Sequence, residues 1–279
     1  MTVTETAYAK VNLVLRVGPP RPDGLHPLCS LFASLALADA VCVEASEADA
    51  VVCPGVVGQN LAARAAVAFR AAVPELPPLR ITIDKRIPVA AGLGGGSADA
   101  AAVLRAANRL TGAGLEAAEL RRLAAELGSD VPSQVKPGHW LVAGVGERLE
   151  PVELRPMQIV LVPQPEGLST AAVYAELDRL RAASGRPIDE ALDPEPVRRL
   201  ARAPLDELAA GLENDLQPAA MSLRPQLERP LESLMRAGAL AAQVTGSGPA
   251  AFGVFADRSA AVAAASEIEG AIVTEARLC

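Results

Sequence analysis

Aromatic side chains make up only 3% of this 279-residue chain, so its core must be built on alanine, valine and leucine. Lysine is rarer still. Lys10, Lys85 and Lys136 are the only lysines among 26 cationic residues, the others all being arginine. In a chain so biased, a lysine marks a place that needs a compact point charge with a movable proton. The four cysteines, Cys29, Cys42, Cys53 and Cys279, form no CxxC and have no paired histidines nearby. Neither a zinc centre nor a disulfide framework is indicated, and small buried apolar roles are expected for all four. Long apolar runs are also missing. Residues 237–256 carry no charge but are broken by Gln243, Thr245, Gly246, Ser247, Gly248 and Pro249, which excludes a membrane span there. Residues 1–17 carry Glu5, Lys10 and Arg16 and no apolar h-region, so no secretory signal is read and a cytoplasmic location is expected. Positive charge is not in excess: the net charge is −7 and the pI is near 5.1. Wholesale binding of nucleic acid is thereby excluded, and an anionic ligand must be drawn by a local positive site.

What is present is concentrated in residues 88–108, PVAAGLGGGSADAAAVLRAAN. Upstream, Leu79, Ile81 and Ile83 alternate with Arg80, Thr82 and Asp84, the period-two pattern of a half-buried strand. Gly92, Gly94, Gly95 and Gly96 follow, and without Cβ atoms their N–H groups can converge on a bulky anion. Ser97 is expected to cap the alanine-rich helix after it, which should end near Thr111 and Gly112. A glycine loop that opens a helix is an anion site by geometry. No lysine adjoins these glycines, so this is not a Walker loop. Ser97 stands where a dinucleotide fingerprint needs glycine or alanine, so that match is poor as well. The phosphate cradle must find its cation elsewhere.

Read in order, the chain begins with a strand that puts Tyr8, Lys10, Asn12 and Val14 on one face and Ala9, Val11, Leu13, Leu15 and Val17 on the other, core-facing side. A turn at Pro22-Asp23-Gly24 precedes His26 and an apolar run. Residues 39–52 read as two short strands, 60–72 as a helix with Asn60 near its cap, and 115–127 as a helix ending at Gly128. Ser129 and Asp130 can open another helix with Pro132 in its first turn, where Asp130 is either a plain N-cap or a functional carboxylate. Strands are expected at 140–145, 158–162, 242–244, 251–255 and 271–275, and helices at 170–183, 194–210, 230–237 and 258–269. A second glycine turn, Thr245-Gly246-Ser247-Gly248-Pro249, separates two of these strands. The pattern restarts between residues 151 and 156, and the domain boundary is placed there, giving domains 1–152 and 153–279, the second a layer of helices on an antiparallel sheet.

The segments AYAKVNLVLRV, RPDGLHPL, IPVAAGLGGGSADAAA, LGSDVP and TGSGPAAF, in that order, resemble the GHMP small-molecule kinases. The resemblance spans most of both halves and is weakest over residues 181–229. It implies an α+β, two-domain GHMP kinase fold, with a ribosomal-protein-S5-like N-terminal domain and a ferredoxin-like C-terminal domain. It further implies that Pro88, Val89, Ala90, Ala91, Gly92, Leu93, Gly94, Gly95, Gly96, Ser97 and Ala98 wrap the triphosphate of ATP. Lys10 and Asp130 match the family's catalytic pair. Asn12, His26, Phe32 and Tyr174 fall where the family binds substrate, with His26 expected at a cytosine and Tyr174 stacking on it. The implied partners are ATP with Mg²⁺ and a small alcohol, a diphosphocytidyl methylerythritol, phosphorylated on its 2-hydroxyl; homoserine or mevalonate is the alternative acceptor. No acidic residue is marked by its motif as a metal ligand, although the Ser97 hydroxyl can reach either the metal or a phosphate oxygen. The pattern departs from the family at Leu25, where an aromatic is usual, and at Ala90 and Ala91, where glycines are usual. Phosphoryl transfer asks mainly for positioning and charge stabilisation, so a backbone cradle, a lysine and a carboxylate suffice. A nucleotide-binding protein without catalysis is the reading from another class; it would bind ATP and transfer nothing.

Overall fold

The computed structural model of the chain describes residues 2–56, 60–185, 188 and 190–276. In order, its elements are β1 (Thr2–Val17), β2 (Leu28–Ala45), β3 (Ala50–Val52), α1 (Leu61–Ala72), β4 (Leu79–Asp84), α2 (Gly95–Thr111), α3 (Ala117–Ala125), α4 (Val131–Gln134), β5 (Trp140–Gly144), β6 (Arg148–Pro151) and β7 (Met157–Val162). They continue with α5 (Thr170–Ser184), α6 (Glu195–Ala201), α7 (Leu205–Ala210), β8 (Glu213–Asn214), α8 (Gln217–Leu223), α9 (Glu228–Arg236), β9 (Ala241–Val244), β10 (Ala251–Phe255), α10 (Arg258–Glu267) and β11 (Ile272–Ala276). The chain forms two compact units, one of residues 1–9, 37–89 and 94–138, the other of residues 10–36, 90–93 and 139–279.

The first unit is a small sheet covered by four helices. β4 pairs antiparallel with β2, Val41 opposite Ile83, and parallel with β3. Leu79, Ile81 and Ile83 are buried and their neighbours exposed, as the alternation predicts. α1 begins at Asn60, whose side chain accepts from the Ala62 N–H at 2.9 Å. α2 is buried on nearly every side from Ala98 to Ala107, so it is the central helix of the unit. Its alanines pack against Ala62, Ala65 and Ala66 of α1. Small side chains let the two helices approach closely, which is how a core poor in rings still excludes water.

In the second unit β11, β7, β10 and β9 lie side by side, antiparallel throughout, with α9 against β9 and β10 and α10 against β7. The first half of β2 pairs with β5, Phe32 opposite Trp140, and β5 pairs with β6. β8 runs parallel to β1 through Val14 and Glu213.

Several expectations need correction. β1 has no solvent face in its middle: residues 9 to 15 are buried throughout, Lys10 and Asn12 included. Helix α2 starts from Gly94, in a left-handed conformation with no side-chain cap bond, and Ser97 lies inside its first turn. β2 runs without interruption to Ala45, so residues 39–45 are not a separate short strand. The helix expected at 194–210 is two, α6 and α7, broken before Pro204, whose ring cannot continue a helix interior. Cys29 is buried, but Cys42 and Cys53 are only partly so, and Cys279 lies outside the described residues. Burial pushes the Cys29 thiol up to about 11, an unreactive setting. Among the described residues no helix is long and apolar enough to cross a membrane.

Candidate active site

In the second unit the buried polar groups of β1 converge on the turn after β9. The Lys10 ammonium donates to Asn12 Oδ1 at 2.8 Å and lies 4.6 Å from the centre of the Phe32 ring, a cation–π contact. Asn12 Nδ2 donates to Ser30 Oγ at 3.0 Å, and that hydroxyl donates to the Val14 carbonyl at 2.5 Å. The Asn12 N–H donates to Thr245 Oγ1 at 3.1 Å, and Gln243 Nε2 donates to the carbonyls of Asn12 and Leu13 at 2.8 and 3.0 Å. Asn214 Nδ2 closes the turn by donating to the carbonyls of Val244 and Gly246 at 2.7 and 2.8 Å. Both side chains of the sequence pair Lys10 and Asn12 are thus held from several sides. Such over-determination fixes an ammonium in one place, as catalysis by charge stabilisation requires. Ser30, Asn214, Gln243 and Thr245 were not singled out in the sequence as site residues; only the glycine turn at 245–249 signalled this neighbourhood.

Part of the glycine loop belongs to this unit. The Leu93 carbonyl accepts from the Lys10 N–H at 3.0 Å, and the Ala91 carbonyl accepts from the Ala250 N–H at 3.2 Å. Gly92 has φ +79°, and a Cβ there would stand 2.8 Å from the Thr245 carbonyl oxygen and 2.9 Å from that of Gly248. Ala90, in place of a family glycine, keeps the left-handed conformation with φ 54°, a strain of about 1 kcal/mol. The rest of the loop belongs to the first unit, where Gly94 has φ 70° and Gly95, Gly96 and Ser97 form the opening turn of α2. Their N–H groups have no helical acceptor, which is the anion-binding arrangement. Pro88 and Val89 lead into it, and Ala98 is already buried in the helix.

Asp130 stands in the first unit at the head of α4, which packs against α2. It occupies the cap position, yet its side chain makes no cap hydrogen bond; Ser133 Oγ instead donates to the Asp130 carbonyl at 2.7 Å. The plain N-cap reading therefore fails.

His26 and Tyr174 come together in the second unit, ring centres 5.0 Å apart and planes tilted by 46°. His26 Nε2 lies 3.0 Å from Asp178 Oδ1, one turn along α5 from Tyr174. Leu25 is half exposed, so the ring beside His26 is supplied by α5. The structure thus groups Lys10, Asn12 and Phe32, and separately His26 and Tyr174, within one unit, while Asp130 and the first turn of α2 each belong to the other.

His139, the other histidine, is buried; its Nδ1 accepts from the Ser34 N–H at 3.1 Å, and its Nε2 has no partner. Burial pushes its pKa down from 6.5 to about 4. The folded imidazole stays neutral where the unfolded one takes a proton, so its contribution to stability is intact above pH 6.5 and is lost as pH falls towards 4. A shift of that size corresponds to about 3 kcal/mol in full, of which about 2–3 kcal/mol falls between pH 7.5 and 4.5. Asp99 opposes it, because burial, only partly offset by Lys85, raises its pKa from 3.8 to about 6, so its share of stability falls as pH rises across that window. His139→Gln keeps an oxygen for the Ser34 N–H and cannot titrate. Urea unfolding at pH 7.5 and 4.5 should show the variant losing about 2–3 kcal/mol less than the parent on acidification; equal losses would remove His139 from the account.

The model of the GHMP kinases N terminal domain matches residues 60–139, and that of GHMP kinases C terminal matches residues 196–272. A 4-diphosphocytidyl-2-C-methyl-D-erythritol kinase of Mycolicibacterium smegmatis is 44% identical over 97% of this chain and 87% of its own length. The chain belongs to the GHMP kinases. A kinase of the same name from Nocardia farcinica is 46% identical over 95% of this chain and 89% of its own. Among solved structures, a crystal structure of 4-(cytidine 5'-diphospho)-2C-methyl-D-erythritol kinase superimposes with a TM-score of 0.81 at 35% identity, covering 98% of both chains. The two-domain α+β fold of the GHMP kinases is therefore the fold of this chain.

Proposed function

We propose that this GHMP kinase transfers the γ-phosphoryl group of ATP to the 2-hydroxyl of 4-diphosphocytidyl-2-C-methyl-D-erythritol, a step of non-mevalonate isoprenoid precursor synthesis. The observation that carries the reading is the 44–46% identity, over nearly the whole chain, to kinases of that name. In this reading Asp130 takes the proton from the hydroxyl as its oxygen attacks phosphorus, and ADP departs as the bond to the bridging oxygen breaks. Lys10 stabilises charge on the transferred group, its position supported by Asn12 and Phe32. Residues 88–98 receive the triphosphate, and Asn12, Phe32, His26 and Tyr174 receive the acceptor, the tilted Tyr174–His26 pair offering its rings to the cytosine. The division at residues 152 and 153 belongs to the same proposal, with one family match on each side of it.

Mg²⁺ fits the donor set. Among the described residues no three His, Cys, Asp or Glu side chains gather to form a cage, and Mg²⁺ on a nucleotide is held largely by phosphates and water. The Ser97 hydroxyl, inside the first turn of α2 and unused as a cap, is the residue available to the ion or to a phosphate oxygen. When bound, the ion offsets phosphate charge.

A coupled ADP-release assay with ATP and Mg²⁺ should show turnover on the diphosphocytidyl methylerythritol and none on mevalonate or homoserine. Turnover only on another alcohol would move the acceptor, and silence on all three would leave a nucleotide-binding protein without transfer.

A further inference from the structure

Lys85 takes no part in the chemistry derived above, yet it is built into the first unit directly behind the glycine loop. Its ammonium donates to Asp39 Oδ2 at 2.6 Å and to Asp99 Oδ2 at 2.9 Å. Asp39, on β2, uses its other oxygen to accept from the N–H groups of Arg86 and Ile87 at 2.6 and 2.8 Å. Asp99, on the second turn of α2, has its other oxygen buried without a partner. The lysine side chain is 12% exposed and the two carboxylates 0% and 3%. Cys53, which follows β3, is the remaining titratable neighbour. A Cβ on Gly95 would meet Ile87 Cγ2 at 2.9 Å and the Lys85 ammonium at 3.2 Å, so the opening residue of α2 rests on this cluster.

Three charges without water are an expensive fastening. Each ion costs several kcal/mol to desolvate, and apolar side chains of similar bulk often hold a fold equally well. The sum here is two carboxylates to one ammonium, and burial drives the Asp99 carboxyl up to about 6 although Lys85 pulls it down. What charged hydrogen bonds supply and apolar packing does not is direction. In this cluster they tie the interior of β2, the exit of β4 and the second turn of α2 to one ammonium, and the glycine loop is the segment strung between the last two.

We propose that Lys85 is a positioning residue for phosphoryl transfer: joined to Asp39 and Asp99, it fixes the first turn of α2 against the exit of β4 and so preorganises the N–H groups that receive the triphosphate. The inference rests on the reading of residues 88–98 as the triphosphate loop. It concerns ATP alone and leaves the acceptor's residues untouched.

Two variants test it in the full-length enzyme. Asp99→Asn keeps the shape and weakens the tie to Lys85. Lys85→Met combined with Asp99→Leu removes one charge of each sign, keeps the bulk and leaves Asp39 with its two N–H donors. The expected result for both is a KM for ATP raised about tenfold, with kcat and the acceptor KM within about twofold of the parent. The double variant leaves Asp39 on the N–H groups of Arg86 and Ile87 and should still unfold cooperatively, which keeps the test open should Asp99→Asn fail to fold. A parental ATP KM in the double variant would overturn the proposal, and so would a parallel rise in both KM values. Gly96→Glu serves as the control on the underlying reading, since a Cβ there has only an ordinary contact, 3.7 Å from Leu61 Cδ1, and the added carboxylate repels phosphate. An unchanged ATP KM in Gly96→Glu would place the failure in the loop assignment and not in Lys85.

Discussion

Asp130→Asn is expected to lower turnover by about 10²–10⁴ while leaving the affinity for ATP within a few-fold of the parent. The size follows from the role: a general base that accepts a proton in the transition state contributes that range, and an amide accepts none. The selectivity follows from the structure. Asp130 heads the four-residue helix α4, but its carboxylate is not spent on the cap, so the substitution leaves the helix's own hydrogen bonds in place. α4 packs on α2 through buried Val131, and Arg105 of α2 donates to the Gln134 carbonyl at 2.7 Å, contacts the variant retains. Turnover measured by ADP release and ATP binding measured by calorimetry without acceptor separate the two effects. Near-parental turnover would remove Asp130 from the base role, and loss of ATP binding in step with turnover would make its role structural.

Much of this fold is legible in the sequence, for a reason that differs from element to element. β4 announced itself because one of its faces is buried and the other is wet, so the sequence alternates. β1 announced itself as a strand but misled about its faces: it is covered on both sides, and Lys10 and Asn12, polar residues at alternate positions, imitate a solvent face while lying among buried partners. The glycine loop was visible because backbone that must turn left-handed leaves glycine behind, and even the exception proves informative, since Ala90 keeps φ 54° without glycine's freedom. Ser97 reads as a cap because local chemistry favours serine there; Gly94, left-handed, takes the position and moves the helix start back. The network around Asn12 was not legible at all. Thr245 and Gln243 reach it from more than 200 positions away, and no local period records a partner at that separation. Its one trace was the second glycine turn, which sequence alone marks as a turn and not as a support.

Among the described glycines of left-handed φ, Gly92 is the one whose added Cβ would meet backbone carbonyls at under 3 Å. In Gly92→Ala the new methyl group would have to enter at 2.8 Å from the Thr245 carbonyl oxygen and 2.9 Å from that of Gly248, both backbone atoms, at a φ of +79° that alanine resists. Neither neighbour is the free end of a flexible side chain, so either the loop or the 245–249 turn must move. Thr245 is the residue whose hydroxyl accepts from the Asn12 N–H, and Asn12 in turn holds the Lys10 ammonium. A displacement of the turn therefore reaches the lysine through two hydrogen bonds. Strain and displacement together should cost about 2–4 kcal/mol of stability. A misplacement on the ångström scale in a site that works by positioning should lower kcat/KM for ATP by about 10²-fold. Gly96→Ala is the matched comparison, because its φ is not left-handed and its Cβ would meet only Leu61 at 3.7 Å, so it should keep the parental melting temperature. Steady-state kinetics and thermal melts of the two variants side by side decide the matter. Equal behaviour of Gly92→Ala and Gly96→Ala would mean that the close approach of residue 92 to the 245–249 turn is not what holds Lys10 in register, whereas a loss confined to Gly92→Ala ties the 90–93 stretch of the glycine loop and the buried lysine into one mechanical unit.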